Sequence, residues 1–404
     1  EGAGICLCTY EKYEGKRGFM MKKLGVSLLV GLTFAMLLFG CGKEKAEEET
    51  VPATEETAES LPVETESETE TETVAEDVPP EEGMVRSSLT NEWISGDIAD
   101  QRPIAVMVPN DSSALPHYSL SKADILYECP VEGNITRLMA IFKDWDNDDM
   151  KRIGNVRSSR DYFVYWAFEY DAIYFHFGGP YYIAPVIEQK STDNVTGANY
   201  GGTGKKGVFG NAYYRSSDRK APQNAYLSAE GANEAIDKLG ISKTYRDNYY
   251  DPDHFKFAPE SSPNTLDQYS NAITVKKLDM AKCYPISKTY FEYNEEDGLF
   301  YRFEYGKPHV DAGFDNTQLA FKNVLVQFAY YEVRDEKGYL TFQDHDTTRD
   351  GYYFTNGKGI HVNWKKSGDY DPTKFYDDDG NEIELNTGKT MICVVEEGDT
   401  FGYE

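Results

Sequence analysis

The chain has little of what usually identifies a protein on inspection. Its 404 residues include six cysteines, and those outside the first stretch of the chain, Cys129, Cys283 and Cys393, are odd in number and far apart. That excludes a disulfide framework as the basis of the fold. Six histidines, His117, His176, His254, His309, His345 and His361, include no two at the spacing of a local metal-binding motif, so neither a metal nor another cofactor is expected. Positive charge is scarce: 41 Lys and Arg stand against 69 Asp and Glu, for a formal net charge of −28, which argues against nucleic acid as a partner. No Gly-x-Ser-x-Gly elbow marks a serine hydrolase. Long apolar runs are missing too, apart from Leu24 to Phe39, shorter than the roughly 20 residues a spanning helix needs.

That one run is informative. Met21 is followed by Lys22 and Lys23, then by the apolar stretch, which ends in Leu38-Phe39-Gly40-Cys41. A charged start, a short apolar middle and a small residue before cysteine make a lipoprotein signal peptide over 21–40. The Cys41 thiol is the expected site of lipidation. Residues 1–20 fit neither a signal nor a domain and are read as untranslated upstream sequence, with Met21 the start. The expected address is the extracytoplasmic face of the cell membrane, with the bilayer as a partner through Cys41.

After Cys41 the chain turns to Glu, Thr, Ser, Ala and Pro, as in Glu64-Thr-Glu-Ser-Glu-Thr-Glu-Thr-Glu72, and this stretch carries about half of the net negative charge. Such a segment cannot bury enough apolar surface to offset its chain entropy. Residues 41–88 are therefore expected to be a disordered acidic linker whose self-repulsion extends it. The rest is rich in Tyr and Phe and long enough for two domains. Runs at Ile104–Val108, Asp124–Glu128, Ile135–Phe142 and Ala172–Phe177 read as strands, and Asp161–Glu169, Tyr182–Gln189 and Ala229–Leu239 as helices. From Thr265 onward helical patterns nearly vanish, and short alternating runs flank Asp297-Gly298 and Asp379-Gly380 turns. The predicted fold class is α+β: a mixed, layered α/β domain at 89–241, a proline-punctuated connector at 242–263, and a mostly-β domain at 264–404.

Several ordered motifs carry a family resemblance. Arg102-Pro103-Ile-Ala-Val-Met107, Ala123-Asp124-Ile-Leu-Tyr-Glu128, Glu132-Gly133-Asn-Ile-Thr136-Arg137, Val156-Arg157-Ser158-Ser159-Arg160 and Arg219-Lys-Ala-Pro222 are joined in the second half by Asn323-Val-Leu-Val-Gln327, Asn356-Gly-Lys358, Trp364-Lys-Lys366 and Asn386-Thr-Gly-Lys-Thr390. Together they resemble the YerB-like family of bacterial lipoproteins over nearly all of the chain after the linker. The resemblance implies a two-domain envelope lipoprotein of this layered type and implies no activity. The chain departs from the family pattern at Gln223, where a histidine often stands, and at Leu115-Pro116-His117, where the pattern has Arg-Pro-Gln. If that histidine acts as a general base in the family, this chain lacks it.

Among candidate site residues, Arg157-Ser158-Ser159-Arg160-Asp161 stands out. Ser158 followed by Asp161 ahead of an apolar run is a capping-box pattern, which places two arginines at a helix N-terminus where anions are favoured. With Arg137 they form a candidate anion clamp for phosphate or carboxylate. The opposing reading is that these arginines pair internally with Asp124, Glu128 or Glu132, which otherwise serve as acid, base, metal ligand or structural partners. Secondary candidates are His176, Arg219 and Asn224; His176 is read first as a satisfied core histidine. Gly197 to Gly207 lacks the order of a phosphate-binding loop and is read as a surface loop, and Asp144 to Asp149 as an acidic turn lacking the glycine and glutamate of a calcium loop. The expected function is binding or scaffolding in envelope assembly, with an envelope protein or a phosphate-bearing envelope precursor as partner and the aromatic residues as contact surface. The alternative is an enzyme acting on phosphate-bearing envelope glycans or lipids through the arginine clamp.

Overall fold

A computed structural model describes residues 78–404. The expected lipidation site Cys41, the expected signal peptide 21–40, residues 1–20 and the expected linker as far as residue 77 lie outside the described residues. Residues 78–88, within the expected linker, are described and include a strand. Met84–Arg86 pairs antiparallel with Trp93–Ser95, and the Arg86 guanidinium lies 4.0 Å from the centre of the Trp93 ring, so a cation over an aromatic face steadies this hairpin.

An eleven-stranded sheet organises everything that follows. Its strands, in chain order, are β1 (Ile104–Pro109), β2 (Ile125–Pro130), β3 (Thr136–Phe142), β4 (Ile173–His176), β5 (Asn194–Thr196), β6 (Ile273–Thr274), β7 (Asn323–Ala329), β8 (Thr347–Thr355), β9 (Lys358–Lys366), β10 (Lys374–Tyr376) and β11 (Thr390–Glu396). Their spatial order is β6-β9-β8-β7-β11-β2-β3-β1-β4-β5, with β10 paired to β9. The first and second halves of the chain meet where β11 lies parallel to β2, Met391 opposite Leu126 and Cys393 opposite Glu128. The two halves are thus continuous in one sheet. The connector follows it, with Arg102 donating its amide to the Lys243 carbonyl at 2.8 Å and Lys256–Phe257 pairing parallel with Glu384–Leu385.

Alternation along each strand sorts side chains to two faces. On β1, Ile104, Val106 and Val108 enter one core, while Ala105 and Met107 enter the other. The first core is closed by α3 (Ala229–Leu239) and by a smaller six-stranded sheet containing the hairpin Tyr290–Asn294 and Leu299–Glu304. The second is closed by α1 (Asp161–Phe168) and the single turn α2 (Ala184–Ile187). α3 begins as its sequence suggests, with the Ser228 hydroxyl accepting from Gly231 N, and ends on left-handed Gly240. The longer helix expected over Tyr182–Gln189 is instead a 3-10 turn, Tyr181–Ile183, followed by α2; Pro185 has no N–H to return to the preceding turn. The aromatic residues expected as contact surface are largely core: Tyr127, Tyr162, Tyr174, Tyr200, Tyr226, Tyr284 and Tyr353 are fully buried, and Tyr181, Tyr214, Tyr330 and Tyr403 are exposed. Among the described residues no helix is long and apolar enough to cross a membrane.

Candidate functional site

Strands β1, β2, β4, β5, β7 and β11 all run the same way, so their carboxyl ends share one edge of the sheet, the edge where sheets of this kind present ligand-binding groups. The Arg157-Ser158-Ser159-Arg160 segment threads along that edge. Arg157 donates its amide to the Met107 carbonyl and accepts from Phe177 N, and Ser159 N reaches the Gly178 carbonyl. These bonds hold the segment extended through Arg160 (φ −129°, ψ 152°), so α1 starts at Asp161 with Arg160 in the cap position and no side-chain cap. The expected capping box is therefore not formed. The Ser158 hydroxyl instead lies 3.3 Å from Nη1 of both Arg137 and Arg160, in reach as an acceptor.

Arg137, at the start of β3 opposite Pro109, joins the same edge. The three arginines differ in their partners. Arg160 is held by Glu132 through two contacts, Nε to Oε2 at 2.9 Å and Nη2 to Oε1. Burial by itself would raise the Glu132 carboxyl, but the Arg160 guanidinium outweighs it and holds the pKa below the ordinary value. Arg137 is 4 % exposed, yet among the described residues its only hydrogen bonds are from Nη1 to the Ser158 carbonyl at 2.7 Å and the Ser158 hydroxyl, and its Nε has no partner there. Burial, then repulsion from Arg160 and Arg157, push its pKa down to about 9, which still leaves it a cation at neutral pH. Arg157 is half-buried; its Nε too is buried without a partner, and burial lowers its pKa with Asp111 opposing. One carboxylate thus offsets three guanidinium groups at hydrogen-bond range, an arrangement that favours an anion.

The other carboxylates expected near the clamp are elsewhere. Asp124 lies just before β2, at the opposite end of that strand, where its Oδ2 accepts from Lys143 N at 2.7 Å and burial pushes its pKa up to about 6. Glu128 belongs to the other face of the sheet. It accepts from Asn110 (3.0 Å), Thr136 (2.7 Å), Thr289 (3.1 Å) and Arg302 Nη2 (2.7 Å), and both members of the Glu128–Arg302 ion pair have no exposed side-chain surface. Arg302 Nη1 is 3.0 Å from Glu304 Oε2 and donates to His309 Nδ1; His309 Nε2 is 2.8 Å from His117 Nδ1, and His117 Nε2 donates to the Pro109 carbonyl at 2.8 Å. Sequence reasoning overlooked Arg302, Glu304, His117 and His309. The available signal was the inward face of Leu299–Glu304, where Phe300 is followed at alternate positions by Arg302 and Glu304, charges where core residues belong.

Residues 89–242 match the N-terminal domain, and residues 280–392 the C-terminal domain, of a family described as a protein of unknown function, DUF3048. A Bacillus subtilis (strain 168) protein named "Putative lipoprotein YerB" is 28% identical over 322 residues, covering 79% of this chain and 88% of that protein. The crystal structure of the YerB protein from Bacillus subtilis superposes with a TM-score of 0.66 at 23% identity, over 79% of this chain and 99% of that one. The chain belongs to the YerB-like family. Its two-domain α+β architecture is that of the family.

The two positions at which the chain was expected to depart from the family pattern have structural uses in this YerB-like chain. Gln223, in place of the histidine, donates to Asp111 Oδ2, and its carbonyl accepts from buried Asn155 at 2.7 Å. His117 is completely buried, and burial pushes its pKa down to about 3. Arg219 donates to the carbonyls of Ala114 and Pro116, and Asn224 bonds Arg215 and the Ser216 carbonyl; neither residue bonds to the arginine cluster. His176 donates from Nδ1 to the Gly178 carbonyl at 2.8 Å, with Asn194 Nδ2 3.4 Å from Nε2, and burial pushes it down to about 4. It is a neutral core histidine under the edge. The glycine loop touches the edge through Gly201 N and the Gly179 carbonyl, but Lys206 reaches away to the Gln189 carbonyl. In the acidic turn, Trp145 is buried and donates to the Arg102 carbonyl at 2.9 Å, so the turn is anchored by its tryptophan.

Proposed function

We propose that this chain is a lipid-anchored protein of the extracytoplasmic membrane face that binds a phosphate-bearing envelope precursor at the carboxyl edge of its main sheet, with Arg137 and Arg157 as the anion clamp. The observation that carries the reading is Arg137: a guanidinium almost wholly out of water, without a carboxylate hydrogen-bonded to it and beside a second unpaired arginine. Burying such a charge is costly unless something pairs with it, and an incoming phosphate supplies that pairing. The signal sequence ending at Cys41 and the lipoprotein name of the Bacillus subtilis relative support the anchor.

Binding is favoured over turnover. Of the acidic residues considered as acid or base, Glu132 is held by Arg160, Glu128 is enclosed on the other face, and Asp124 is at the far end of its strand. The test is thermal shift and calorimetry of the full chain with inorganic pyrophosphate as probe. Wild type is expected to bind and gain stability, Arg157→Lys to bind more weakly, and Arg157→Ala to lose at least about tenfold in affinity, since charge-assisted hydrogen bonds are worth roughly 1.5–3 kcal/mol. Equal binding by wild type and Arg157→Ala, or none by wild type, would remove the clamp.

A further inference from the structure

We propose that His117, His309 and Glu304 form a binding site for one divalent cation of the zinc class, built into the seam between the two halves of the chain. One ligand atom each from His117, His309 and Glu304 lies within 4.8 Å of the others, and all three residues are buried. Two imidazoles and a carboxylate are a donor set that divalent transition metals take. Ligand atoms about 2.0–2.1 Å from a tetrahedral ion stand about 3.3 Å apart. His309 Nε2 and Glu304 Oε1 already do so, at 3.4 Å, and the two ring nitrogens, at 2.8 Å, need to part by about half an ångström.

Two further observations point to a cation. The bond from His117 Nε2 to the Pro109 carbonyl keeps the proton on Nε2 and turns the Nδ1 lone pair inward, the outer-shell support that metal-binding histidines ordinarily have. Glu304 is 1 % exposed; its Oε2 lies 3.0 Å from Arg302 Nη1, but that guanidinium is shared with Glu128, and its Oε1 faces His309 Nε2 at 3.4 Å. Asn110, whose side chain bonds Glu304, has an Oδ1 that is buried without a partner. A proton shared between the two rings accounts for their 2.8 Å contact and for Arg302 donating to His309 Nδ1, but it gives Glu304 Oε1, 3.4 Å from His309 Nε2, no proton of its own. With the ion bound, His309 carries its proton on Nδ1, and Arg302 turns toward the two carboxylates it already contacts. His117 comes from the first half of the chain and Glu304 and His309 from the second, so the ion acts as a staple and enters as the core closes.

The experiment is elemental analysis and titration of the metal-free full chain with Zn2+, and with Co2+ as a spectroscopic reporter. Expected are one equivalent per chain, tetrahedral Co2+ absorption bands, and a rise in Tm of about 4 °C at a free-ion concentration of about 100 Kd. His309→Ala and Glu304→Gln should lose the stoichiometric site, while His345→Ala and His361→Ala, at half-exposed acidic positions, should keep it. The Co2+ spectrum of wild type decides the matter even if a core variant fails to fold. No one-to-one site in wild type, or a site lost only on substitution of His345 or His361, overturns the proposal.

Discussion

Thr136 and Arg137 are neighbours on β3, and strand alternation sends them to opposite faces of the sheet, into two regions that treat charge differently. On the Thr136 side, Arg302 is enclosed by Glu128 and Glu304, and all three are shut off from water. On the Arg137 side, three guanidinium groups meet one carboxylate, and two of them have no acidic partner at hydrogen-bond distance. An arginine between two carboxylates has its charge offset inside the protein, although its Nε too lacks a partner, and acts in assembly. An arginine packed against other arginines keeps an unmet demand that a ligand can answer. The number of carboxylates within reach, rather than burial, separates the two cases.

The largest effect should come from the closed region. Arg302→Ala leaves Glu128 and Glu304 buried without their cation and should lose about 3–5 kcal/mol in urea unfolding; a loss under about 1 kcal/mol would break the comparison. Glu132→Gln is the intermediate case. It frees Arg160 and should lower stability by about 1–2 kcal/mol while raising pyrophosphate affinity severalfold, because a repelling charge is gone. If affinity falls instead, Glu132 is part of the ligand contact.

A smaller effect concerns pH. Burial raises the Asp124 carboxyl to about 6, so between about pH 4 and pH 6 the folded chain holds more protons than the unfolded one. Stability from this group is greatest below the unfolded value and declines as pH rises toward 6, by about 1 kcal/mol once residual solvation is discounted. Asp124→Asn should flatten that part of the stability–pH curve; an unchanged slope assigns it to other groups. The smallest effect is expected at Arg157→Ala, which breaks no internal ion pair and should change unfolding stability by less than about 0.5 kcal/mol. A loss above about 2 kcal/mol would mean that Arg157 belongs to the closed class.

Local pattern made much of this legible. The strand at Ile104, the helix at Asp161 and the hairpin around Asp297-Gly298 follow from side-chain periodicity and turn chemistry, which act over a few residues. Ser158 misled because its capping pattern is also local, whereas the backbone bonds to Met107, Phe177 and Gly178 that keep the segment extended come from elsewhere in the chain. The arginine cluster was visible as a motif; that Arg160 is neutralised and Arg137 is not depended on where Glu132 lies in space.

By itself, then, the sequence determined the succession of α/β and β-rich segments, the turns between them and the arginine run, since each depends on neighbours along the chain. Tertiary structure alone decided that β2 lies against β11, that His117 meets His309 across 192 positions, and that Thr136 and Arg137 serve different sites. Strand partners and buried charge pairs are chosen by packing and desolvation among residues remote in sequence, and no local pattern records that choice.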